Sequence, residues 1–208
     1  MLVDVRAGEK SWAEIYRLCI GFICPRPIAL ASTISREGKR NLAPYSFYNM
    51  VCANPPVVMI SCGVNRNGGE KDTLVNVVDT REFAVATVTA PIAEPMARCG
   101  ASLPWGESEF EFSGLTPTPA RFIAPALVKE SPINIECKLR ETYKIGSGPG
   151  SSTLIFGEIL AIHVDDALLD ADQHIDASKL AAVGRLGGQA YANVERPYNL
   201  QIPDVGKR

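Results

Sequence analysis

Histidine is nearly absent: His163 and His174 are the two in a chain of 208 residues. They stand too far apart to suggest a metal centre, which needs several His, Cys or carboxylate ligands converging on one ion. The six cysteines, at positions 19, 24, 52, 62, 99 and 137, include no C-x-x-C pair, so no zinc or dithiol redox motif is written in them. The N-terminus carries Asp4 and Glu9 and no apolar h-region, which does not read as a secretory signal. Reduced thiols in a cytoplasmic protein are therefore expected. An excess of positive charge is also missing, with 21 Lys and Arg against 23 Asp and Glu; a general nucleic-acid binder would show a basic footprint. Apolar runs such as Val57-Val58-Met59-Ile60 fall far short of the roughly 20 residues that span a bilayer. No G-x-G-x-x-G follows a strand, and no G-x-S-x-G elbow occurs, so neither a dinucleotide crevice of the doubly wound kind nor a serine hydrolase is indicated.

What is present describes a globular chain. Hydrophobic residues make up 46% and charged residues 21%, near the average for folded domains, and the length suits one domain over 1–208. Ser11-Trp12-Ala13-Glu14 matches the capping box and starts a helix over 11–22, ended by Pro25 and Pro27. Ile28–Ile34 and Asn41–Ser46, joined by a polar glycine-containing loop, read as a hairpin. Asn54-Pro55-Pro56 breaks the chain before a strand at Val57–Cys62. A short helix over Asp72–Val78, a strand at Phe83–Val88 and a helix from Pro91 to about Cys99 follow. Residues 101–127 form a long Gly-, Pro- and Ser-rich excursion in which Trp105 and Phe110 can pack or cover a site. Ile133–Arg140 alternates, with Ile133, Ile135, Cys137 and Leu139 on the covered face and Asn134, Glu136, Lys138 and Arg140 opposite. In Thr153–Val164, the residues Leu154, Phe156, Leu160, Ile162 and Val164 share a parity with Glu158, so a bulge at Gly157 is expected to turn Glu158 outward. Asp170, Asp172, His174 and Asp176 lack the ligand order of an EF-hand and read as a solvated loop. The tail 197–208 is polar and extended. Six or seven short strands with few helices and no βαβ alternation indicate a mainly β fold, a closed antiparallel sheet with peripheral helices.

Three segments carry candidate chemistry: Ser32-Thr33 at the end of one hairpin strand, Ala43-Pro44-Tyr45-Ser46-Phe47 at the end of the other, and Lys71-Asp72-Thr73 at a helix start. Together they offer hydroxyls, a cation and free backbone N–H groups, a set that suits a phosphate. Each charge-assisted bond would contribute about 1.5–3 kcal/mol. Arg26 and Arg185 are further candidate cations. The same residues also read as plain structure, Asp72 as an N-cap and Ser46 as strand-end packing, and spacing alone does not choose.

The order of motifs does choose a family. Pro25-Arg26-Pro27-Ile28-Ala29-Leu30-Ala31-Ser32-Thr33, Asn41-Leu42-Ala43-Pro44-Tyr45-Ser46-Phe47, Asn54-Pro55-Pro56, Lys71-Asp72-Thr73-Leu74-Val75-Asn76 and Gly184-Arg185-Leu186-Gly187-Gly188 resemble the flavin reductase-like family of FMN-binding split barrels, over about 25–191. The resemblance implies a six-stranded Greek-key split β-barrel and a homodimer with FMN near the subunit interface. It implies that Ser32 and Thr33 line the flavin, that Ala43, Pro44, Ser46 and Phe47 contact it, and that Lys71, Asp72 and Thr73 lie at its phosphate. Arg185 would lie near the site. No catalytic residue of the protein's own is needed, because hydride would pass from NADH or NADPH to the flavin N5. Electrons would go on to free flavin, a monooxygenase partner or another acceptor. The alternative is a flavoredoxin-like FMN electron carrier that does not react with NAD(P)H.

Overall fold

The computed structural model describes residues 1–65, 67–104 and 107–203. Along them run α1 (Trp12–Phe22), β1 (Ala29–Ile34), β2 (Arg40–Tyr45), β3 (Tyr48–Ala53), β4 (Pro56–Gly63), α2 (Asp72–Thr80), β5 (Glu82–Thr87), α3 (Ala93–Arg98) and α4 (Glu109–Ser113). They are followed by β6 (Pro117–Thr118), β7 (Leu127–Val128), β8 (Ile133–Ile145), β9 (Ser152–Val164), α5 (Ala177–Leu180), β10 (Val183–Arg185) and β11 (Tyr191–Asn193). The capping box forms as written: the Glu14 N–H donates to Ser11 Oγ, and the Ser11 N–H donates to the Glu14 carboxylate.

Seven strands make one sheet in the order β2-β1-β5-β8-β9-β4-β3. Its two edge strands, β2 and β3, are consecutive in the chain and separated only by Ser46 and Phe47. The sheet must therefore curl until its edges meet at that corner, where the Phe47 carbonyl accepts a hydrogen bond from the Ser61 N–H at 2.8 Å. The curled wall encloses one apolar interior. Ala29, Ala31, Tyr45, Val58, Ile60, Phe83, Val85, Ile135, Cys137, Leu139 and Ile155 point into it, and Leu74 and Val77 of α2 plug one side. A second core lies outside the wall, where Leu30, Leu42 and Ala86 pack under Ile92, Met96, Phe110, Leu115 and Val128. This is a split barrel with peripheral helices, with seven strands where six were implied. The extra strand is β3. Its composition, Tyr48-Asn49-Met50-Val51-Cys52-Ala53, shows no period-2 pattern, and five of its six residues are exposed. Pairing with β4, rather than burial, defines it.

Three further expectations need correction. Strand β8 runs five residues past Arg140, to Ile145, because it stays paired with β9 up to the Gly146 turn. Its second face is not open either, since Asn134 and Glu136 are buried beneath the segment 120–128. Glu136, with no exposed surface, accepts the N–H groups of Arg121 at 2.8 Å and Phe122 at 2.7 Å, and meets His163 Nε2 at 2.6 Å. A buried carboxylate here satisfies backbone N–H groups of the connection between β6 and β7. In β9 the inward residues are Ile155, Gly157 and Ile159. Phe156 and Glu158 face outward, and Glu158 pairs with Arg140 at 3.6 Å. The bulges fall at Arg140 and Leu160, where the register skips, and not at Gly157. Gly157 serves close packing: a Cβ there would lie 2.2 Å from the Phe83 ring.

The Glu136 clamp makes acid stability testable. Burial alone would raise the Glu136 carboxyl, but the Arg121 N–H, the His163 ring and the Phe122 N–H together hold it below its ordinary range. A carboxylate with a lowered folded pKa contributes stability that is complete above the unfolded value and is lost as pH falls through the folded one. Glu136→Gln should cost about 2 kcal/mol near neutral pH. In urea titrations the gap between variant and wild type should narrow as the pH is lowered below about 4; a gap independent of pH would contradict the ionised clamp.

Candidate functional site

The site grows from the corner that closes the barrel. Tyr45, the last residue of β2, points inward and is buried, while Ser46 is half-buried and Phe47 is 43% exposed. Lys71 Nζ sits 5.4 Å from the centre of the Tyr45 ring, at the N-cap of α2, and makes no capping bond with its own side chain. Among the described residues no carboxylate lies within 4.0 Å of that ammonium. The first N–H groups of a helix lack intrahelical acceptors, so Lys71 and the start of α2 present positive charge from two sources. Burial pushes the Tyr45 phenol well above its ordinary value, and the neighbouring Cys62 adds to this. The phenol therefore stays neutral, with Cys62 Sγ 3.5 Å from its oxygen. Burial likewise raises the Cys62 thiol, which makes it a poor nucleophile. All six cysteines are free thiols.

Arg26 reaches the same corner from the other side. Its Nε donates to Ser46 Oγ at 3.4 Å, and its guanidinium lies 5.7 Å from the Phe47 ring centre. Its remaining donors go to the carbonyls of Ile20, Ile23 and Leu186. Arg26 is buried and ties the end of α1 to the segment after β10. Arg185 pairs backbone to backbone with Arg26 at 2.9 and 2.8 Å, donates to the Gly188 carbonyl, and stacks 4.3 Å from the Tyr191 ring. Phe47 also meets Tyr16 of α1 edge-on at 6.3 Å.

The structure thus gathers Arg26, Ser46, Phe47 and Arg185 on one side of the closing corner and Lys71 over Tyr45 on the other. Ala43 and Pro44 are half-buried on the strand that leads there. Thr33 and Thr73 turn inward, with 0% and 1% of their surface exposed. Their hydroxyls are held by two residues that sequence reasoning did not single out. Asn41 Nδ2 donates to Thr33 Oγ1 at 3.1 Å and to Thr73 Oγ1 at 3.0 Å, and Asn76 Nδ2 donates to Thr33 Oγ1 at 3.1 Å. A signal existed, since Thr73 and Asn76 are spaced i, i+3 on one helix face and Asn41 is a polar residue at the start of β2, just before its apolar residues. Ser32 faces the outer core, and its buried hydroxyl has no hydrogen-bond partner among the described residues. Asp72 is the first residue of α2 and not its cap; burial raises its carboxyl above the ordinary range. Trp105 lies outside the described residues. The acidic loop at Asp170, Asp172 and His174 is exposed, with Asp170 Oδ1 accepting the Asp172 and His174 N–H groups at 2.9 Å, the bonds of a turn. Among the described residues no helix is long and apolar enough to cross a membrane.

Comparison with known proteins agrees with this architecture. Residues 22–179 match the flavin reductase like domain. The nitrilotriacetate monooxygenase component B of Bacillus cereus superposes with a TM-score of 0.89 at 32% identity, covering 96% of this chain and 99% of that one. The 2-nitrobenzoate 2-nitroreductase of Pseudomonas fluorescens superposes with a TM-score of 0.87 at 30% identity, covering 100% of this chain and 99% of that one. An uncharacterised protein of Aquifex aeolicus is 40% identical over 194 residues, 93% of this chain and 97% of the relative.

Proposed function

Since the chain belongs to the flavin reductase-like family, we propose that it is an FMN-dependent oxidoreductase that takes hydride from NADH or NADPH and hands electrons to free flavin, a monooxygenase partner or another acceptor. The observation that carries this reading is the placing of Lys71, at the head of α2, over Tyr45, the residue that precedes Ser46 and Phe47 at the corner where the barrel closes. The donor set fits a phosphate-tailed flavin. Among the described residues Lys71 has no carboxylate within 4.0 Å.

When bound, FMN supplies a ring whose N5 accepts hydride. The protein's own part is binding and orientation. Lys71 and the first-turn N–H groups of Asp72 and Thr73 hold the phosphate. Ser46 donates or accepts a hydrogen bond beside it. Phe47 supplies an apolar wall that excludes water, and Ala43 and Pro44 shape the approach. Arg26 fixes the Ser46 side of the corner through its three carbonyl partners, and Arg185 braces Arg26 through their paired backbones. No residue must act as nucleophile or general base. Met50, Val51, Tyr143 and Leu160 are exposed on the barrel strands, which supports a homodimer in which a second copy covers them. The similarity to a monooxygenase component supports delivery of electrons to a partner enzyme.

The test is anaerobic. Protein loaded with FMN should bleach in its visible flavin band on addition of NADH or NADPH. Bleaching by dithionite but by neither nucleotide would remove the reductase reading and leave the flavoredoxin-like carrier. Failure to bind FMN at all would remove both.

A further inference from the structure

We propose that Asn41 and Asn76, acting through the hydroxyls of Thr33 and Thr73, are positioning residues that set where Lys71 stands and so determine how well the site recognises a phosphate. The inference rests on the FMN reading above and adds to it a part that lies wholly inside the wall.

The four side chains are all buried and form one continuous hydrogen-bonded unit. Asn41, on β2, uses both hydrogens of its amide, one for Thr33 on β1 and one for Thr73 on α2. Asn76, one turn further along α2, gives a hydrogen to the same Thr33 oxygen. Two strands and a helix are thereby joined at three bonds. Leu74 and Val77, from the same helix, already seal it against the barrel interior. Apolar contact of that kind is tolerant of small slides and rotations, whereas buried amides and hydroxyls are satisfied in one arrangement only. Turning α2 by one residue, about 100°, would part Thr73 and Asn76 from their partners and leave buried polar groups unpaired.

The unit also reaches the ammonium. Thr73 stands two residues after Lys71, and its side chain flanks the Tyr45 phenol. The Tyr45 ring is the surface over which Lys71 Nζ is held at 5.4 Å. The same polar quartet therefore fixes both the backbone from which Lys71 projects and the ring on which it rests. Effective recognition of a phosphate oxygen depends on the cation being held in place before the ligand arrives.

The experiment compares FMN with riboflavin, which has no phosphate, by flavin fluorescence titration of wild type, Thr33→Val and Thr33→Ser, each checked for folding by circular dichroism. Valine keeps the shape of threonine and removes the oxygen that serves both amides; serine restores it. Thr33→Val should weaken FMN by about tenfold while riboflavin changes by less than about twofold, and Thr33→Ser should return FMN to within about threefold of wild type. Should Thr33→Val fail to fold, Asn76→Ala removes one bond and strands no partner, because Thr33 still receives Asn41; an FMN-selective loss of about threefold is then expected. Parallel weakening of both flavins would mark the quartet as general scaffolding and overturn the proposal. So would unchanged binding of both, or an FMN-selective loss that serine does not restore. A wild-type protein that binds neither flavin would instead remove the FMN reading itself, before any variant is compared.

Discussion

Lys71→Ala should weaken FMN binding by about 10- to 100-fold, equivalent to about 1.5–3 kcal/mol for a charge-assisted bond, and leave riboflavin nearly unchanged. The expectation follows from the surroundings of the ammonium. Among the described residues it has no carboxylate to lose, so removing it frees no buried counter-charge and adds no repulsion. Its contact with the Tyr45 ring at 5.4 Å is worth about 0.5–1 kcal/mol at a partly exposed site, too little for the fold to depend on it. The energy at stake is therefore that of the ligand. Salt gives a second reading, since raising the ionic strength should shrink the difference between wild type and variant as the charge is screened. Lys71→Arg keeps the charge but replaces a compact ammonium with a planar fork, and should fall between the two. Isothermal titration with each flavin at two salt concentrations decides it. Equal losses for FMN and riboflavin would remove Lys71 from the phosphate and return it to the surface.

A single methyl group placed inside the barrel should have the largest effect on stability. Gly157→Ala puts a carbon 2.2 Å from Cζ and 2.6 Å from Cε1 of Phe83, and 3.2 Å from Cβ of Cys137. Phe83 has 1% of its surface exposed and Cys137 none, so neither can swing into solvent. Overpacking of this kind costs about 3 kcal/mol at the upper end of its usual range, a drop of about 6–12 °C in Tm for a chain of this size. The double variant Gly157→Ala with Phe83→Leu should recover part of that loss, since leucine vacates the ring edge where the clash occurs, and contacting sites are not additive. Calorimetry of the four proteins of the cycle tests it. If Gly157→Ala melts with the wild type, the strand has room that the structure denies.

Much of this architecture is legible in the residues. The helix start at Ser11, the hairpin of β1 and β2 and the proline break before β4 follow from local chemistry, because caps, turns and β-branched runs are decided within a few residues. The motif order from Pro25 to Gly188 pointed to the flavin reductase-like family, as the match over residues 22–179 does. Elements decided by distant partners were harder to see. Strand β3 is an edge whose residues face mostly outward, so no apolar period marks it. Glu136 looks solvent-facing in an alternating strand until the segment at Arg121 and Phe122 folds over it. In β9 the parity of Leu154 and Phe156 points the wrong side inward as far as the bulge at Leu160, because the apolar residues outvote Gly157, which is the residue the interior requires. At the site, the hydroxyls of Ser32, Thr33 and Thr73 are visible as chemistry, but their direction is not. Two of them turn toward asparagines that only the packing of α2 on β1 and β2 brings near.

The corner at Ser46 and Phe47 is both the seam of the cylinder and the rim of its proposed pocket. A molecule resting there contacts the closed form and not an opened one, and by mass action it favours closure in proportion to its occupancy. Heat resistance and degree of saturation are then a single property measured in two ways, and a starved protein should loosen first along the line where its two margins are stitched.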